Sequence, residues 1–187
     1  MTPARFHGLE LVTEPGHVMT PRPSTEALVD RALELIGDEP ARVADVGTGS
    51  GAIAVALAAR APRTEVWATD TSADAVWLAR LNASRLGVSD HVHILRGDLL
   101  EPVPYPLDLV LANLPYLPEA EADDPDIQGE PLEAVVASGD GLGPYRGLLA
   151  QCETRLTPDG VVVIQFRRRT LEARRSELGS LRRHLAA

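Results

Sequence analysis

The glycine-rich stretch at residues 43–53 constrains the fold of this chain more than any other segment. A short apolar run, Val43-Ala44-Asp45-Val46, breaks into glycines at the alternating positions Gly47, Gly49 and Gly51 and then resumes as an alanine-rich apolar segment. This pattern predicts a strand, a tight turn and a helix, in that order. Glycines in such a turn permit positive φ, let a ligand approach the bare backbone, and let the helix pack closely. We therefore expect a nucleoside cofactor at this turn.

The turn alone leaves the identity of the cofactor open. Read as Gly47-x-Gly49-x-x-Ala52, it also matches the dinucleotide-binding fingerprint. Asp70, at the end of the next predicted strand, suits either class because a carboxylate there accepts hydrogen bonds from ribose hydroxyls. Asp45 distinguishes the two classes of cofactor. Its carboxylate would repel a pyrophosphate, but it can hold the amides of the loop for a cofactor that carries a positive charge.

Length, net charge and composition limit the classes of protein to which this chain can belong. The chain has 187 residues, enough for one domain with a substantial core. Its net charge of -9 argues against nucleic-acid binding over the whole surface, although a local basic patch is compatible with it. The single cysteine, Cys152, excludes an internal disulfide. No run is long enough to span a membrane and no signal peptide begins the chain, so we expect a cytoplasmic protein.

The residues before the glycine turn predict a β-hairpin and a helix. Residues 6–12 have strand character, residues 14–16 form a turn, and residues 17–19 are extended again. We expect this hairpin and an extended lead-in to fill residues 1–23, ahead of the main domain at residues 24–187. Ser24 or Thr25 should cap the following helix, which Gly37 ends. Its predicted apolar face consists of Leu28, Ala32, Leu35 and Ile36.

Strands and helices alternate after the glycine turn. This order predicts an α/β fold, with a doubly wound, mostly parallel sheet and helices on both of its faces. In the strand near residues 91–95, His91 and His93 share one face, which indicates an exposed polar edge more than a metal pair, and no metal is expected. Asp98 follows that strand, where its carboxylate can bind an exocyclic amine of a base or cap a turn.

The segment Asn113-Leu114-Pro115-Tyr116 follows the strand Leu107–Ala112 directly. An Asn at the carboxyl end of a central strand points into the crevice where open α/β sheets bind ligands. Its side-chain oxygen and one backbone carbonyl are two acceptors matched to the two hydrogens of a planar NH2 group, and Tyr116 offers a ring for stacking. The segment is equally compatible with a turn that ends the strand.

Two further segments carry charge. Residues 117–144 form a long stretch rich in proline, glycine and acids, a length typical of a functional or disordered loop. Within it, Glu130 is a candidate to close on the site, and the acids are otherwise a solvated face. A basic C-terminal stretch is a candidate contact for RNA or a solvated helix. Its members are Arg167, Arg168, Arg169, Arg174, Arg175, Arg182 and Arg183.

Residues 45–51 together with Asn113-Leu114-Pro115-Tyr116 resemble class I S-adenosylmethionine-dependent methyltransferases that methylate planar nitrogen. Four further segments are similar to the release-factor glutamine methyltransferase family, which modifies the side-chain amide of a glutamine in peptide-chain release factors. They are Phe6-His7-Gly8-Leu9, Pro21-Arg22-Pro23-Ser24-Thr25-Glu26, Glu130-Pro131, and Gly139-Asp140-Gly141-Leu142 with Tyr145. The chain begins at about the hairpin, so the family's N-terminal helical domain is not expected here. Nothing after the last predicted helix resembles the family's final pair of strands, so these are not expected either.

The resemblance implies a Rossmann-like fold, S-adenosylmethionine as cofactor and a release factor as partner. It also implies which residues contact the cofactor. These are Asp45, Gly47, Thr48, Gly49, Ser50, Gly51, Asp70, Thr71, Asp98, Leu99 and Asn113. The transfer itself would depend on Asn113, Leu114, Pro115 and Tyr116, with the Asn113 side chain and the Leu114 carbonyl holding the acceptor NH2 in line with the methyl group.

Other functions are also compatible with the sequence. The family usually has proline where this chain has Leu114, and Asn-Leu-Pro-Tyr is similar to ribosomal RNA adenine dimethyltransferases, so adenine in nucleic acid or a small-molecule amine is an alternative acceptor. A nonenzymatic subunit that binds the cofactor for a partner is a third reading. An NAD-dependent oxidoreductase is disfavoured by Asp45 and by Asn113-Leu114-Pro115-Tyr116.

Overall fold

A five-stranded parallel sheet forms the centre of the molecule. The computed structural model describes residues 1–104 and 106–166. In chain order the strands are β1 (Thr2–Phe6), β2 (Leu9–Thr13), β3 (Arg42–Val46), β4 (Glu65–Asp70), β5 (Val92–Arg96), β6 (Leu107–Ala112), β7 (Leu117–Pro118), β8 (Val136–Ala137) and β9 (Leu156–Ile164). The helices are α1 (Glu26–Ile36), α2 (Ala52–Arg60), α3 (Ala73–Arg85) and α4 (Gly143–Arg155). The main sheet has the order β5-β4-β3-β6-β9, with every neighbouring pair parallel.

Alternate residues of the strands face two different helical layers. Val43 and Leu109 pack in the same core cluster as residues of α1, α2 and α3. Their neighbours Ala44 and Val110 pack with α4, including the buried Cys152. Because successive side chains of a strand point to opposite faces, both faces of the sheet are covered. The predicted doubly wound α/β fold is confirmed.

The amino-terminal hairpin is present, but its predicted position was wrong. β1 and β2 pair antiparallel and are joined by the two-residue turn His7-Gly8, in which both residues have positive φ (48° and 77°). A two-residue turn with positive φ at both positions matches the twist of the flanking strands. The expected turn at residues 14–16 does form, because the amide of His17 donates to the carbonyl of Glu14, but it follows the second strand.

Asn82 of α3 attaches the hairpin to the glycine turn. Its side chain is buried, accepts from the amide of Val12, and donates to the carbonyls of Val12 and Ser50. Phe6 and Leu11 are buried in the same core cluster as the main sheet. The hairpin therefore packs as part of this core, and the expected boundary at residue 23 stays a prediction.

The first helix corrects two predictions. Val29, which was not predicted, is fully buried, whereas Leu35 from the predicted apolar face is 37% exposed. The packed face of α1 therefore includes Val29 and excludes Leu35. Residues Pro23–Thr25 form a 3-10 turn before the helix, and within the described residues the Thr25 side chain makes no capping hydrogen bond. Gly37 ends the helix as predicted, with φ 55°.

His91 and His93 bracket a carboxylate. The Nε2 atom of His93 lies 2.6 Å from Oε2 of Glu65, and Nδ1 of His91 lies 3.6 Å from Oε1 of the same residue. All three side chains are more than two-fifths exposed. Across residues 1–104 and 106–166, no group of three potential metal-ligating side chains has the geometry for a metal ion.

Residues 117–144 fold into two short strands and three 3-10 turns before α4 begins. β7 and β8 pair in parallel, and 3-10 turns at Glu119–Glu121, Pro125–Ile127 and Leu132–Ala134 fill most of the space between them. Leu117, Ile127 and Val135 form a small core of their own. The segment therefore has a small core of its own, and its functional role stays a prediction.

β9 forms one edge of the main sheet in the described part of the chain. In the described part of the chain, no strand pairs with its outer side, and Val161 is 40% exposed. The basic stretch from Arg167 to Arg183 lies outside the described residues. Among the helices that are described, none combines the length and the apolar character that a membrane span needs.

Candidate active site

The glycine loop between β3 and α2 has the backbone that its sequence requires. Gly47, Gly49 and Gly51 all have positive φ, at 72°, 55° and 80°. The amides of Gly47 and Thr48 both donate to the carbonyl of Thr69, so the loop is tied to the end of β4. A Cβ atom at Gly51 would lie 3.0 Å from the Cα of Ala79, which explains why α2 and α3 approach so closely there.

The side chain of Asp45 holds the glycine loop through a hydrogen bond from Thr48. Its carboxylate is fully buried, and Oδ2 accepts hydrogen bonds from Thr48 Oγ1 at 2.6 Å and from the amide of Ala54 at 3.1 Å. The other oxygen, Oδ1, is buried and has no hydrogen-bond partner among the described residues. Burial raises the pKa of Asp45 from 3.8 to about 6, and repulsion from Asp70 adds to the increase.

The raised pKa of Asp45 predicts a specific dependence of stability on pH. Between about pH 4 and 6 the unfolded chain ionises this carboxyl while the folded chain keeps it protonated, so its contribution to stability is lost as pH rises through this window. The loss amounts to about 3 kcal/mol. We expect Asp45→Asn to remove that part of the decline in the free energy of unfolding, measured by urea denaturation at several pH values.

The same substitution at Asp74, an exposed carboxylate on α3, is the control for removing one charge. An Asp45→Asn profile parallel to that of the wild type would contradict the assigned pKa.

A cavity of about 260 Å³ opens at the carboxyl ends of β3, β4 and β6. We call it the Asp70 cavity. It brings together six of the predicted cofactor-binding residues besides Asn113, namely Gly47, Gly49, Asp70, Thr71, Asp98 and Leu99. The Asp70 carboxylate is fixed in place, because Oδ2 accepts from the amide of Gly49 and Oδ1 from the amide of Ser72, both at 2.9 Å. Each oxygen keeps a second lone pair that a ligand can use.

Four predicted cofactor residues do not line the Asp70 cavity. Thr48 and Ser50 are buried and line a smaller neighbouring cavity beside residues 19–22. Gly51 packs against Ala79, and Asp45 lies behind the loop. Residues 17–19, predicted as a strand, instead form a wall of the Asp70 cavity. Sequence patterns gave no sign of that role, because it depends on how the hairpin folds back over α3.

A second cavity of about 270 Å³ shares a wall with the first. We call it the Tyr116 cavity. Asn113 and Leu114 line both cavities, Pro115 lines the Asp70 cavity, and Tyr116 lines the second one. The ring of Tyr116 meets Phe166 edge to face at 5.5 Å, so an aromatic pair forms part of this wall. The four residues predicted to carry the transfer therefore lie at the junction of the two cavities.

Thr25 and Tyr145, which no sequence pattern assigned to the site, contact Asn113 and Leu114. The side-chain amide nitrogen of Asn113 donates to Oγ1 of Thr25 at 3.5 Å. The hydroxyl of Tyr145 donates to the carbonyl of Leu114 at 2.9 Å and lies 3.3 Å from the carbonyl of Gln165. These partners are 88 and 31 residues away from the motif in the chain, so no local spacing signals them.

Glu130 holds the lead-in segment at the rim of the Tyr116 cavity. Its Oε2 accepts from the amide of Thr20 at 3.1 Å, and its Oε1 lies 3.7 Å from the guanidinium of Arg22. Arg22 lines the cavity and also donates to the carbonyl of Asp126. The acidic loop is thereby joined to the segment before α1.

Gly141 permits the close approach that positions Tyr116. It has φ 77°, and a Cβ atom there would lie 2.5 Å from the backbone oxygen of Tyr116. We expect Gly141→Ala to lower the free energy of unfolding by about 2 kcal/mol, because the clash is with backbone and cannot be relieved by a rotamer change. Chemical denaturation measures this. Gly143→Ala is the matched control, since a Cβ there meets no atom within 4 Å, and equal stability of the two variants would contradict the assignment.

Relatives of known name match most of this chain. The release factor glutamine methyltransferase of Gloeobacter violaceus is 43% identical over 167 residues, which cover 87% of this chain and 58% of that protein. The protein of the same name from Deinococcus radiodurans is 39% identical over 170 residues, covering 89% of this chain and 60% of that protein. The chain thus spans less than two thirds of the length of these relatives.

Solved structures show the same fold. The ribosomal protein L11 methylase of Lactobacillus delbrueckii subsp. bulgaricus superimposes with a TM-score of 0.61 at 24% identity, over 90% of this chain and 72% of that one. An S-adenosylmethionine-dependent methyltransferase of Thiobacillus denitrificans, solved with S-adenosyl-L-homocysteine, gives a TM-score of 0.51 at 20% identity, over 74% of this chain and 47% of that one. The family model of the methyltransferase small domain matches residues 23–132, more than half of the sequence. The chain therefore belongs to the methyltransferase small domain family.

Proposed function

We propose that this protein transfers the methyl group of S-adenosylmethionine to the side-chain amide nitrogen of a glutamine in a protein, with a peptide-chain release factor as the acceptor. One observation carries the proposal. Asn113 and Leu114 stand in a wall shared by two cavities, one bounded by the glycine loop and Asp70 and the other by Tyr116. A cofactor on one side and an acceptor on the other would meet at these two residues.

The residues of the Asp70 cavity fit S-adenosylmethionine. The Asp70 carboxylate, held by two backbone amides, presents lone pairs suited to a pair of ribose hydroxyls. Gly47 and Gly49 expose bare backbone to the cavity. The unpartnered Oδ1 of Asp45 places negative charge behind the loop, which suits a cofactor that carries ammonium and sulfonium charges and disfavours one with a pyrophosphate.

The chain's own residues would act mainly by positioning the acceptor. The bound cofactor would supply a methyl group already activated by its sulfonium charge. The side-chain oxygen of Asn113 and the carbonyl of Leu114 would each accept a hydrogen bond from one N–H of the glutamine NH2 group. These two bonds would turn the nitrogen lone pair towards the methyl carbon. As the N–C bond forms and the C–S bond breaks, these oxygens would stabilise the positive charge on nitrogen until a proton leaves to water.

Charge and similarity favour a protein acceptor over nucleic acid. The net charge of -9 repels a polyanion. The two relatives described above are named for a protein substrate. Arg22 lines the Tyr116 cavity and would be a donor to backbone carbonyls of a bound peptide. Because release factors act on ribosomes, the proposed reaction would take place in the cytoplasm.

The test supplies the purified full chain with methyl-labelled S-adenosylmethionine and, separately, a release factor, ribosomal RNA and a cell extract cleared of small molecules. We expect label on the release factor, mapped to one glutamine by mass spectrometry, and none with Asn113→Ala. Label on RNA alone would replace the proposal with adenine methylation. Cofactor binding with no transfer to any of the three would replace it with a small-molecule acceptor or a subunit that depends on a partner.

A further inference from the structure

Two hydroxyl groups from distant parts of the chain contact the two acceptor atoms of the proposed site. Thr25 lies in the 3-10 turn before α1, and Tyr145 lies in the first turn of α4. One contacts the side chain of Asn113 and the other the carbonyl of Leu114. Both hydroxyl residues are buried.

The Thr25 contact accompanies one orientation of the Asn113 amide, in which Nδ2 lies 3.5 Å from Oγ1 of Thr25. An asparagine side chain has one donor end and one acceptor end, and they are similar in shape. Because Oγ1 of Thr25 accepts from Nδ2, the nitrogen end is directed towards α1 and the oxygen end is left for the acceptor. A flipped amide would present NH2 to the NH2 of the substrate, where two donors repel. The Thr25 side chain is available for this contact since it makes no capping bond within the described residues.

The Tyr145 contact fixes the Leu114 carbonyl. The tyrosine is fully buried and its ring lies 4.5 Å from that of Phe166, so the hydroxyl has little freedom to move. Its single proton points to the nearer of two carbonyls, that of Leu114. Burial raises the pKa of Tyr145 well above its usual value, so the hydroxyl keeps its proton at neutral pH. The carbonyl retains one lone pair for a substrate N–H.

We infer that Thr25 and Tyr145 are positioning residues that orient Asn113 and Leu114 towards the acceptor NH2 group. This inference rests on the proposed function. Thr25 lines the Tyr116 cavity, but neither residue lines the Asp70 cavity. Loss of either hydroxyl therefore changes the rate of transfer and not the affinity for S-adenosylmethionine. Each contact is one neutral hydrogen bond, and its removal lowers kcat by about tenfold.

The orientation of Asn113 can be measured without turnover. The chain contains two asparagines, Asn82 and Asn113, so a protein labelled with 15N-asparagine gives two side-chain NH2 signals. Asn82 is the internal reference, because its nitrogen donates to two backbone carbonyls. We expect Thr25→Val to shift the Asn113 signal and speed its hydrogen exchange while that of Asn82 stays unchanged. Thr25→Ser, which keeps the hydroxyl, should restore the original signal. An Asn113 signal unaffected by Thr25→Val overturns the role of Thr25.

Turnover separates positioning from a purely structural effect. We expect Tyr145→Phe and Thr25→Val each to lower kcat about tenfold with an unchanged dissociation constant for S-adenosylmethionine. Thr64→Val is the matched control, because Thr64 is buried at the amino end of β4 and its hydroxyl has no partner among the described residues. Wild-type kcat in both site variants overturns the inference while leaving the proposed function in place. Absence of transfer by the wild type overturns the proposed function itself, and the Asn113 NH2 signal then still decides whether Thr25 orients that side chain.

Discussion

Replacing Asn113 with alanine is expected to lower kcat by about a hundredfold or more while S-adenosylmethionine still binds. The side-chain oxygen is one of two acceptors at the junction of the cavities, and among the described residues no other side-chain nitrogen or oxygen lines both cavities. Its loss leaves the acceptor NH2 free to rotate away from the line of transfer. Single-turnover assays with labelled cofactor measure the rate, and calorimetry measures binding.

The matched control for this substitution is Gln128→Ala. Gln128 also carries a side-chain amide but is exposed on the loop, and it lines neither of the two cavities. We expect the Gln128 variant to retain the wild-type rate. Retained turnover in Asn113→Ala would remove the assigned role and move the search for the acceptor site to another part of the Tyr116 cavity.

Asp70→Ala is expected to have the opposite effect, weakening S-adenosylmethionine binding by about tenfold to a hundredfold. The substitution removes the acceptor for ribose hydroxyls and releases the amides of Gly49 and Ser72 from their shared carboxylate. With saturating cofactor, kcat should recover most of its wild-type value, because Asp70 does not contact the Tyr116 cavity. Calorimetry gives the dissociation constant directly.

Asp74→Ala is the control for the loss of a carboxylate near the start of α3. Asp74 is exposed and does not line the Asp70 cavity. Thermal unfolding of both variants separates a change in the fold from a change in the binding site. Unchanged affinity in a folded Asp70→Ala protein would count against the ribose contact.

The fold was predictable because the signals for it are local. Three glycines at alternating positions specify a turn with positive φ, and all three have it. The strand Leu107–Ala112 has the bounds that its sequence predicted, and Gly37 ends α1 as predicted. Each of these features depends on residues within one or two turns of chain.

The predictions for the hairpin turn and for the buried face of α1 were wrong because several local structures were compatible with the sequence and tertiary packing stabilised one of them. His7-Gly8 formed the hairpin turn in place of residues 14–16, because β1 and β2 pair in full register around it and bury Phe6 and Leu11. α1 buries Val29 and exposes Leu35, because it packs against α2 and against the strands β6 and β9. Propensity and periodicity do not specify which neighbour a helix will meet.

The sequence by itself determined the class of fold, the edge of the sheet that carries the site, and the residues that reach it from strand ends, including Asp70 and Asn113. These follow from strand order and from short motifs, because the carboxyl ends of parallel strands meet at one edge. The tertiary structure alone decided which distant groups contact Asn113 and Leu114. Thr25 lies 88 residues before Asn113, and Tyr145 lies 31 residues after Leu114. Contacts over such distances in the chain exist only after the helices have packed on the sheet, so no pattern of spacing encodes them.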